Sequence, residues 1–289
     1  MHKSVLLQEA LEWLSPRPGG VYVDGTLGLG GHSEAILQAS SGKARLIGFD
    51  LDQDVLARAQ NRLRDFSGSV ECIHSNFEKI PSYLQERSLV VDGILLDLGV
   101  NSLQFDLPDR GFSFRDDGPL DMRMDRTQPT TAADLLSELP QEQLEQIFRE
   151  YGEERFSRKV SRAIVHDRPR RFETTKEFAD YVARLIPRRG RIHPATRIFQ
   201  ALRIKVNREL ESLKNFLDSF DNVLCGGGKV VIISFHSLED RMVKWSFRGK
   251  ASDGVGRILT KKPVVPSDEE VSENPRARSA KLRVLEKVE

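Results

Sequence analysis

Apolar positions in the first third of the chain fall into short runs separated by stretches of helical period. Val21-Tyr22-Val23-Asp24 is one such run; it enters a glycine-rich turn, and a helical stretch follows from Ser33. Arg45 to Asp50 reads as a second strand, and Asp54 to Leu63 as a helix with Val55, Ala59 and Leu63 along one face. Val70 to Ser75 and Val90 to Asp97 supply two more strands. The last of these is almost continuous hydrophobe, as expected of a central parallel strand covered on both faces. Strands alternating with helices imply a parallel, doubly wound sheet.

The pattern then breaks. Residues 101–131 are rich in Asp, Gly and Pro and show no period; so long a loop inside a compact domain is usually functional or disordered. Helical signals return with Pro140 at a helix start and Leu144, Ile147 and Phe148 on one face. Phe156, Val160 and Ile164 recur at spacing four, and Thr174 with Glu177 forms a capping box before Phe178, Tyr181, Val182 and Leu185. From Ala195 to Phe220 neither Gly nor Pro occurs, which predicts one long helix stopped by the Gly226–Gly228 triplet. Lys229 to Phe235 resumes the strand pattern, with weaker strand signals at 257–262 and 281–288. The chain thus reads as a Rossmann-like α/β domain, residues 1–103 and 196–289, interrupted by a helical insertion at 104–195. No internal repeat is evident.

Composition narrows the class. Of the 289 residues 39% are hydrophobic and 30% charged, which suits a globular protein with an ordinary core. No apolar run approaches the ~18 residues of a membrane span, and the first residues lack a signal-peptide apolar region. The two cysteines, Cys72 and Cys225, cannot build a disulfide framework or a CxxC metal site, and read as reduced, buried thiols of a cytoplasmic protein. The net charge of +1 hides an asymmetry: residues 151–210 hold 16 Lys and Arg against 7 Asp and Glu, a balance of +9, leaving −8 for the rest. Such a split suggests a basic face for a polyanion beside an acidic body. Arg155, Arg158, Lys159 and Arg162, spaced to share a helix face, and Arg188, Arg189 and Arg191, in a Gly-containing loop, are the candidate contacts for such a polyanion.

The turn Asp24-Gly25-Thr26-Leu27-Gly28-Leu29-Gly30-Gly31-His32 follows the first strand, at the end of a doubly wound sheet where ligands bind. A P-loop would need Gly-Lys-Ser/Thr where Gly30-Gly31-His32 stands, so no lysine is present for phosphates. A dinucleotide fingerprint is a near miss, with Gly28 and Gly30 in place but Ser at position 33. An S-adenosylmethionine site needs an open glycine turn beside the methionine part and a carboxylate for the ribose hydroxyls. Asp50, at the end of the second strand and 22 residues after Gly28, supplies that carboxylate. It would suit NAD as well, so the turn alone leaves both open.

The fourth strand ends Asp97-Leu98-Gly99-Val100-Asn101-Ser102-Leu103-Gln104, placing a carboxylate and amides at the lip of the same crevice. An exocyclic amine conjugated to a base is a poor nucleophile, because its lone pair is delocalised into the ring. Acceptors on its N–H groups favour rehybridisation and aim the lone pair at an incoming methyl group. Asp97 is the candidate acceptor; holding the cofactor's amino or carboxylate end is its alternative role.

With these residues in view, the chain resembles the bacterial 16S ribosomal RNA cytosine-N4 methyltransferase family, the MraW family, over nearly its whole length. The resemblance rests on His2–Leu7, Val23–Ser33, Asp97–Val100, Gly118–Met124, His193–Arg203, Ser234–Arg241 and Asn274–Arg283, in that order. It implies a class I methyltransferase fold with an inserted helical substrate-recognition domain. It also implies methyl transfer from S-adenosylmethionine to N4 of a cytidine in the decoding region of small-subunit RNA. Carried over by motif, the cofactor contacts are Gly30, Gly31, His32, Asp50, Phe77, Asp97 and Gln104, with Phe77 placed to stack on adenine. The family often has Ser-Ser-Pro where this chain has Asn101-Ser102-Leu103, which bears on the loop before Gln104. Substrate RNA, naked or within an assembled 30S particle, and a monomer or homodimer are all compatible with the resemblance.

Other candidates have plainer readings. His236, where the fifth strand meets its loop, suits a structural hydrogen bond or a substrate contact. His193 belongs to the turn before a helix. The loop aspartates 106, 109, 116, 117, 121 and 125 lack the spacing of a calcium loop, so no metal is expected, and Arg110, Arg115, Arg123 and Arg126 are their natural partners. An RNA-binding assembly factor that only retains a cofactor pocket, and a nicotinamide oxidoreductase, are the rival readings. Retention of both Asp50 and Asp97 argues against the first, and Ser33 against the second.

Overall fold

The computed structural model describes residues 4–168, 171–188 and 192–289. These form two compact units, one of residues 1–99 and 210–289 and the other of residues 100–209.

The first unit is built on a sheet of seven strands: β1 (Val21–Asp24), β2 (Arg45–Asp50), β3 (Val70–His74), β4 (Val91–Asp97), β5 (Leu224–Ser234), β6 (Gly256–Ile258) and β7 (Lys281–Lys287), in the order β3-β2-β1-β4-β5-β7-β6. Neighbours among β1–β5 pair in parallel, and β7 runs antiparallel to both β5 and β6. Side chains alternate as the pleat requires: Tyr22, Leu46 and Leu95 enter one apolar cluster, and Val23, Ile47, Ile94 and Leu96 the other. Buried on both faces, β4 is the continuous apolar run seen in the sequence. The expected Rossmann-like fold is the one found. After β1 the chain lays down β2 and β3 on one side and then crosses to β4 on the other. The carboxyl ends of β1 and β4 therefore flank a topological switch point, with Asp24 in register with Leu95.

The second unit is helical. Helices Ala132–Glu138, Gln141–Glu150, Ser157–His166, Thr175–Leu185 and Thr196–Asn207 bury Leu144, Phe148, Val160, Ile164, Phe178, Val182 and Phe199 in one core. The unperiodic segment before them is fixed by arginine. Buried Arg110 donates to the carbonyls of Arg123 and Met124 at 3.0 Å, Arg123 pairs with Asp121 at 2.7 Å, and Arg126 pairs with Asp109.

Three expectations are corrected. The stretch 195–220 is two helices, Thr196–Asn207 and Glu209–Leu217, separated at Arg208 with φ 53°. Asn207 dictates the break: its buried amide donates to the Met122 carbonyl at 2.8 Å and accepts from the Met124 N–H at 2.7 Å. The helical unit consequently extends to Glu209 and not 195, because Ile198, Phe199, Ala201, Leu202 and Val206 pack into its core. The glycine triplet does not stop a helix but lies inside β5. There the pairing jumps from Val91–Leu224 to Gly93–Lys229, and Gly227 takes φ +74°. Cys72 and Cys225 are free and only partly buried. No helix among the described residues is long and apolar enough to cross a membrane.

Candidate active site at the carboxyl ends of β1, β2 and β4

The turn after β1 is stitched to both neighbouring strands. Gly25 N–H donates to the Leu95 carbonyl at 2.9 Å and Leu27 N–H to the Phe49 carbonyl at 2.8 Å. Gly28 and Gly30 hold φ of +54° and +78°, conformations that a side chain would strain, and Gly30 is the N-cap of helix Gly31–Ala39. A Cβ added at Gly31 would lie 2.1 Å from the Ser4 hydroxyl. This turn therefore keeps its glycines for close approach as well as for conformation.

Asp24 anchors the turn from below. Its carboxylate accepts from Thr26 N–H at 3.2 Å and from the Ser33 hydroxyl at 2.7 Å, and burial pushes its pKa up to about 6. Asp50 is fixed toward the turn, accepting from Gly28 N–H at 2.8 Å and from Asp52 N–H at 2.9 Å on its two oxygens. Burial raises its pKa to about 6 even against those two hydrogen bonds. Each oxygen retains a second lone pair, the requirement for holding a pair of hydroxyls. Phe77 stands below Gly25: a Cβ built on that glycine would come within 3.1 Å of the Phe77 Cβ. Its ring meets Phe216 edge-on at 6.1 Å.

Asp97, the last residue of β4, donates its backbone N–H to the Thr26 hydroxyl at 2.6 Å. One carboxylate oxygen lies 3.7 Å from His32 Nδ1; the other is buried with no hydrogen-bond partner among the described residues. The opposite edge of His32 faces the Val5 carbonyl, 3.0 Å from Nε2. A carbonyl only accepts, so Nε2 carries a proton and Nδ1 is the ring nitrogen turned toward Asp97. Burial drives the Asp97 carboxyl well above the usual carboxylate range, and the Asp24, Glu239 and Glu270 charges add to it. A buried acceptor that lacks a donor and resists ionisation suits a ligand bringing N–H groups or positive charge, and S-adenosylmethionine brings both.

The remaining candidates separate. Gln104 belongs to the second unit, buried in helix Ser102–Asp106, where Asn101 accepts from its N–H at 3.0 Å and its side chain accepts from the Asn101 N–H at 3.2 Å. Asn101 thus makes the loop a capping box without the family's Ser-Ser-Pro. His236 caps helix Ser237–Ser252: Glu239 accepts from the N–H groups of Phe235 and His236 at 2.8 and 3.3 Å, a structural role. His193 accepts from Ala195 N–H at 3.2 Å within its turn. Arg155, Arg158, Lys159, Arg162 and Arg188 are exposed, and Lys159 donates to the Leu185 carbonyl at 2.7 Å. Arg189 and Arg191 lie outside the described residues. Arg155 and Arg197 line a cleft of about 240 Å³ together with Phe156, Ile186 and His193.

Sequence reasoning missed three residues that build this site. Asp24 and Thr26 are visible as polar residues beside the glycines, yet their partners Ser33 and Asp97 are set by the fold. Val5, whose carbonyl orients His32, carries no chemical signal at all.

The sequence model of the MraW methylase family matches residues 1–288. Three relatives are each named ribosomal RNA small subunit methyltransferase H. That of Kosmotoga olearia is 49% identical over 294 residues, covering 99% of this chain and 97% of its own. Those of Geobacter sp. strain M21 and Cyanothece sp. strain PCC 7425 are 49% and 50% identical, covering 99% and 100% of this chain and 98% and 95% of theirs.

Proposed function

The chain belongs to the MraW methylase family, and from that premise we propose that it is an S-adenosylmethionine-dependent 16S ribosomal RNA (cytosine-N4)-methyltransferase. The substrate is a cytidine in the decoding region of the small-subunit RNA, alone or within a 30S particle, in the cytoplasm. The Asp97 carboxyl carries this reading: an acceptor at the β4 lip, raised in proton affinity, with one oxygen buried and lacking a donor among the described residues.

S-adenosylmethionine bound at the glycine turn supplies an electrophilic methyl group. Gly30 and Gly31 give it room against the backbone, His32 and Gln104 contact it, Asp50 accepts from the ribose hydroxyls, and Phe77 flanks the adenine. Asp97 accepts an N–H of the cytosine amine, which localises the nitrogen lone pair and points it at the methyl group. Its raised proton affinity equips the same carboxylate to take the N4 proton as the new bond forms. The target base leaves its stack to reach Asp97. The exposed cations of the helical unit, Arg155, Arg158, Lys159, Arg162, Arg188, Arg189 and Arg191, hold the RNA backbone.

The test is methyl transfer from labelled S-adenosylmethionine to small-subunit RNA lacking the modification, followed by digestion to nucleosides. Label in N4-methylcytidine is expected. Label in 5-methylcytidine or in any other nucleoside overturns the N4 assignment.

A further inference from the structure

Helix Ser237–Ser252 on the sheet-containing unit buries Val243 and Phe247, while its opposite face shows Trp245, which is 59% exposed. Among the described residues Trp245 is the one exposed Phe, Tyr or Trp. The exposed indole offers a flat face on which a planar ligand can stack. Arg248 lies 5.1 Å and Lys244 5.9 Å from the ring centroid, one on each side in sequence. At 100° per residue, Arg241, Lys244, Trp245 and Arg248 fall within one stripe along the helix. The helix's two acids are committed elsewhere: Glu239 to its N-terminal cap, and Asp240 to Lys281 and Arg283 at 3.2 and 2.6 Å. The stripe is therefore cationic around an aromatic centre.

We propose that Trp245, Lys244 and Arg248 form an RNA contact on the sheet-containing unit, where an unpaired base stacks on the indole and its flanking phosphates meet the two cations. This rests on the RNA-methyltransferase reading and adds a surface separate from the basic helical unit. Stacking on an aromatic ring between cations is how proteins hold single-stranded nucleic acid without reading its sequence. A protein partner fits less well. The helical neighbours of Trp245 are Arg241, Met242, Arg248 and Gly249, so its own helix offers no apolar patch beside the ring, and a second copy of this face would oppose cation to cation.

The chain has two tryptophans, so Trp13→Phe leaves Trp245 as the sole indole reporter in the full-length protein. Titration with a single-stranded RNA oligonucleotide should quench its emission, and an RNA duplex of equal length should quench it far less. With small-subunit RNA as substrate, Trp245→Ala should raise KM about five-fold or more and leave kcat and S-adenosylmethionine affinity unchanged. Trp245→Phe should restore most of the loss. The Lys244→Ala and Arg248→Ala pair should flatten the salt dependence of RNA affinity by about 0.7–0.9 log units per cation. An unquenched Trp245 with wild-type KM in Trp245→Ala overturns the proposal. So does a concentration-dependent dimer that Trp245→Ala dissolves while RNA kinetics stay intact, since the face is then a protein contact. If the wild type methylates RNA and Trp245 is silent, this surface fails alone. If Trp245 is quenched but no methyl group is transferred, the surface stands and the catalytic reading fails.

Discussion

The Asp97 backbone N–H donates to the Thr26 hydroxyl at 2.6 Å, joining the glycine turn after β1 to the end of β4. In the proposed site, the turn that would hold the methyl donor and the carboxylate that would meet the target amine are thereby set by one hydrogen bond. Thr26→Val keeps the shape and removes the acceptor, leaving an N–H unsatisfied at a cost of about 1–3 kcal/mol. Thermal unfolding should show that loss, and single-turnover methyl transfer should slow even at saturating S-adenosylmethionine. Thr26→Ser should restore both.

The proposed ribose contact of Asp50 makes it a determinant of cofactor affinity that can be tested. Calorimetry should show S-adenosylmethionine binding and NAD not binding, and Asp50→Ala should weaken binding by about 1.5–3 kcal/mol, the range for hydrogen bonds to charged groups. Because burial pushes the Asp50 pKa up to about 6, Asp50 should add a fall in wild-type affinity as pH drops through about 6, separate from the proton release at Asp97. Asp50→Ala should lose that dependence. Unchanged affinity in the mutant would remove Asp50 from the ribose.

Asp97 predicts a proton count. Burial and neighbouring carboxylates favour its protonated form in the ligand-free protein, and a cationic ligand favours its ionised form, so binding S-adenosylmethionine should release protons. Calorimetry in buffers of different ionisation enthalpy reads that release, which Asp97→Asn should abolish. A carboxyl whose folded pKa is raised stabilises the fold at low pH and loses that contribution as pH rises. The ligand-free Asp97→Asn protein should therefore unfold at a higher temperature than wild type at alkaline pH, with the gap closing on acidification. Its methyl transfer should be largely lost at saturating cofactor; a loss confined to cofactor affinity would assign Asp97 to the cofactor alone.

The basic helix carries a graded prediction. Arg158 and Arg162 are exposed on helix Ser157–His166, whereas Lys159 is already bound to the Leu185 carbonyl. Replacing Arg158 and Arg162 by Ala should weaken RNA binding and flatten its salt slope by about 0.7–0.9 log units each. Lys159→Ala should change the slope less and stability more. Wild-type affinity and slope in the double mutant would make this face merely solvated.

Much of the sheet was legible because strands β1–β5 are apolar runs whose length and alternation have one physical reading. The glycine turn and the place of Asp50 beside it were legible because both sit at strand ends, which the local pattern marks. The break at Arg208 was not, since a buried Asn207 pairing with Met122 and Met124, over 80 residues away, interrupts a helix whose own period continues. The glycine triplet misled because Gly serves a bulge and a helix stop equally well. Val5 and Thr26 act through a backbone carbonyl and a neighbouring strand, and only the folded arrangement of β1, β4 and the N-terminal segment assigns them a task.

Methylation of N4 of a small-subunit cytidine through Asp97, the function proposed here, can be tested in cells. Mass spectrometry of nucleosides from small-subunit RNA compares cells lacking the gene with cells given back either the wild type or Asp97→Asn. N4-methylated cytidine at one decoding-region site should disappear with the gene, return with the wild type and stay absent with Asp97→Asn. An unchanged methylation pattern in cells lacking the gene would contradict it.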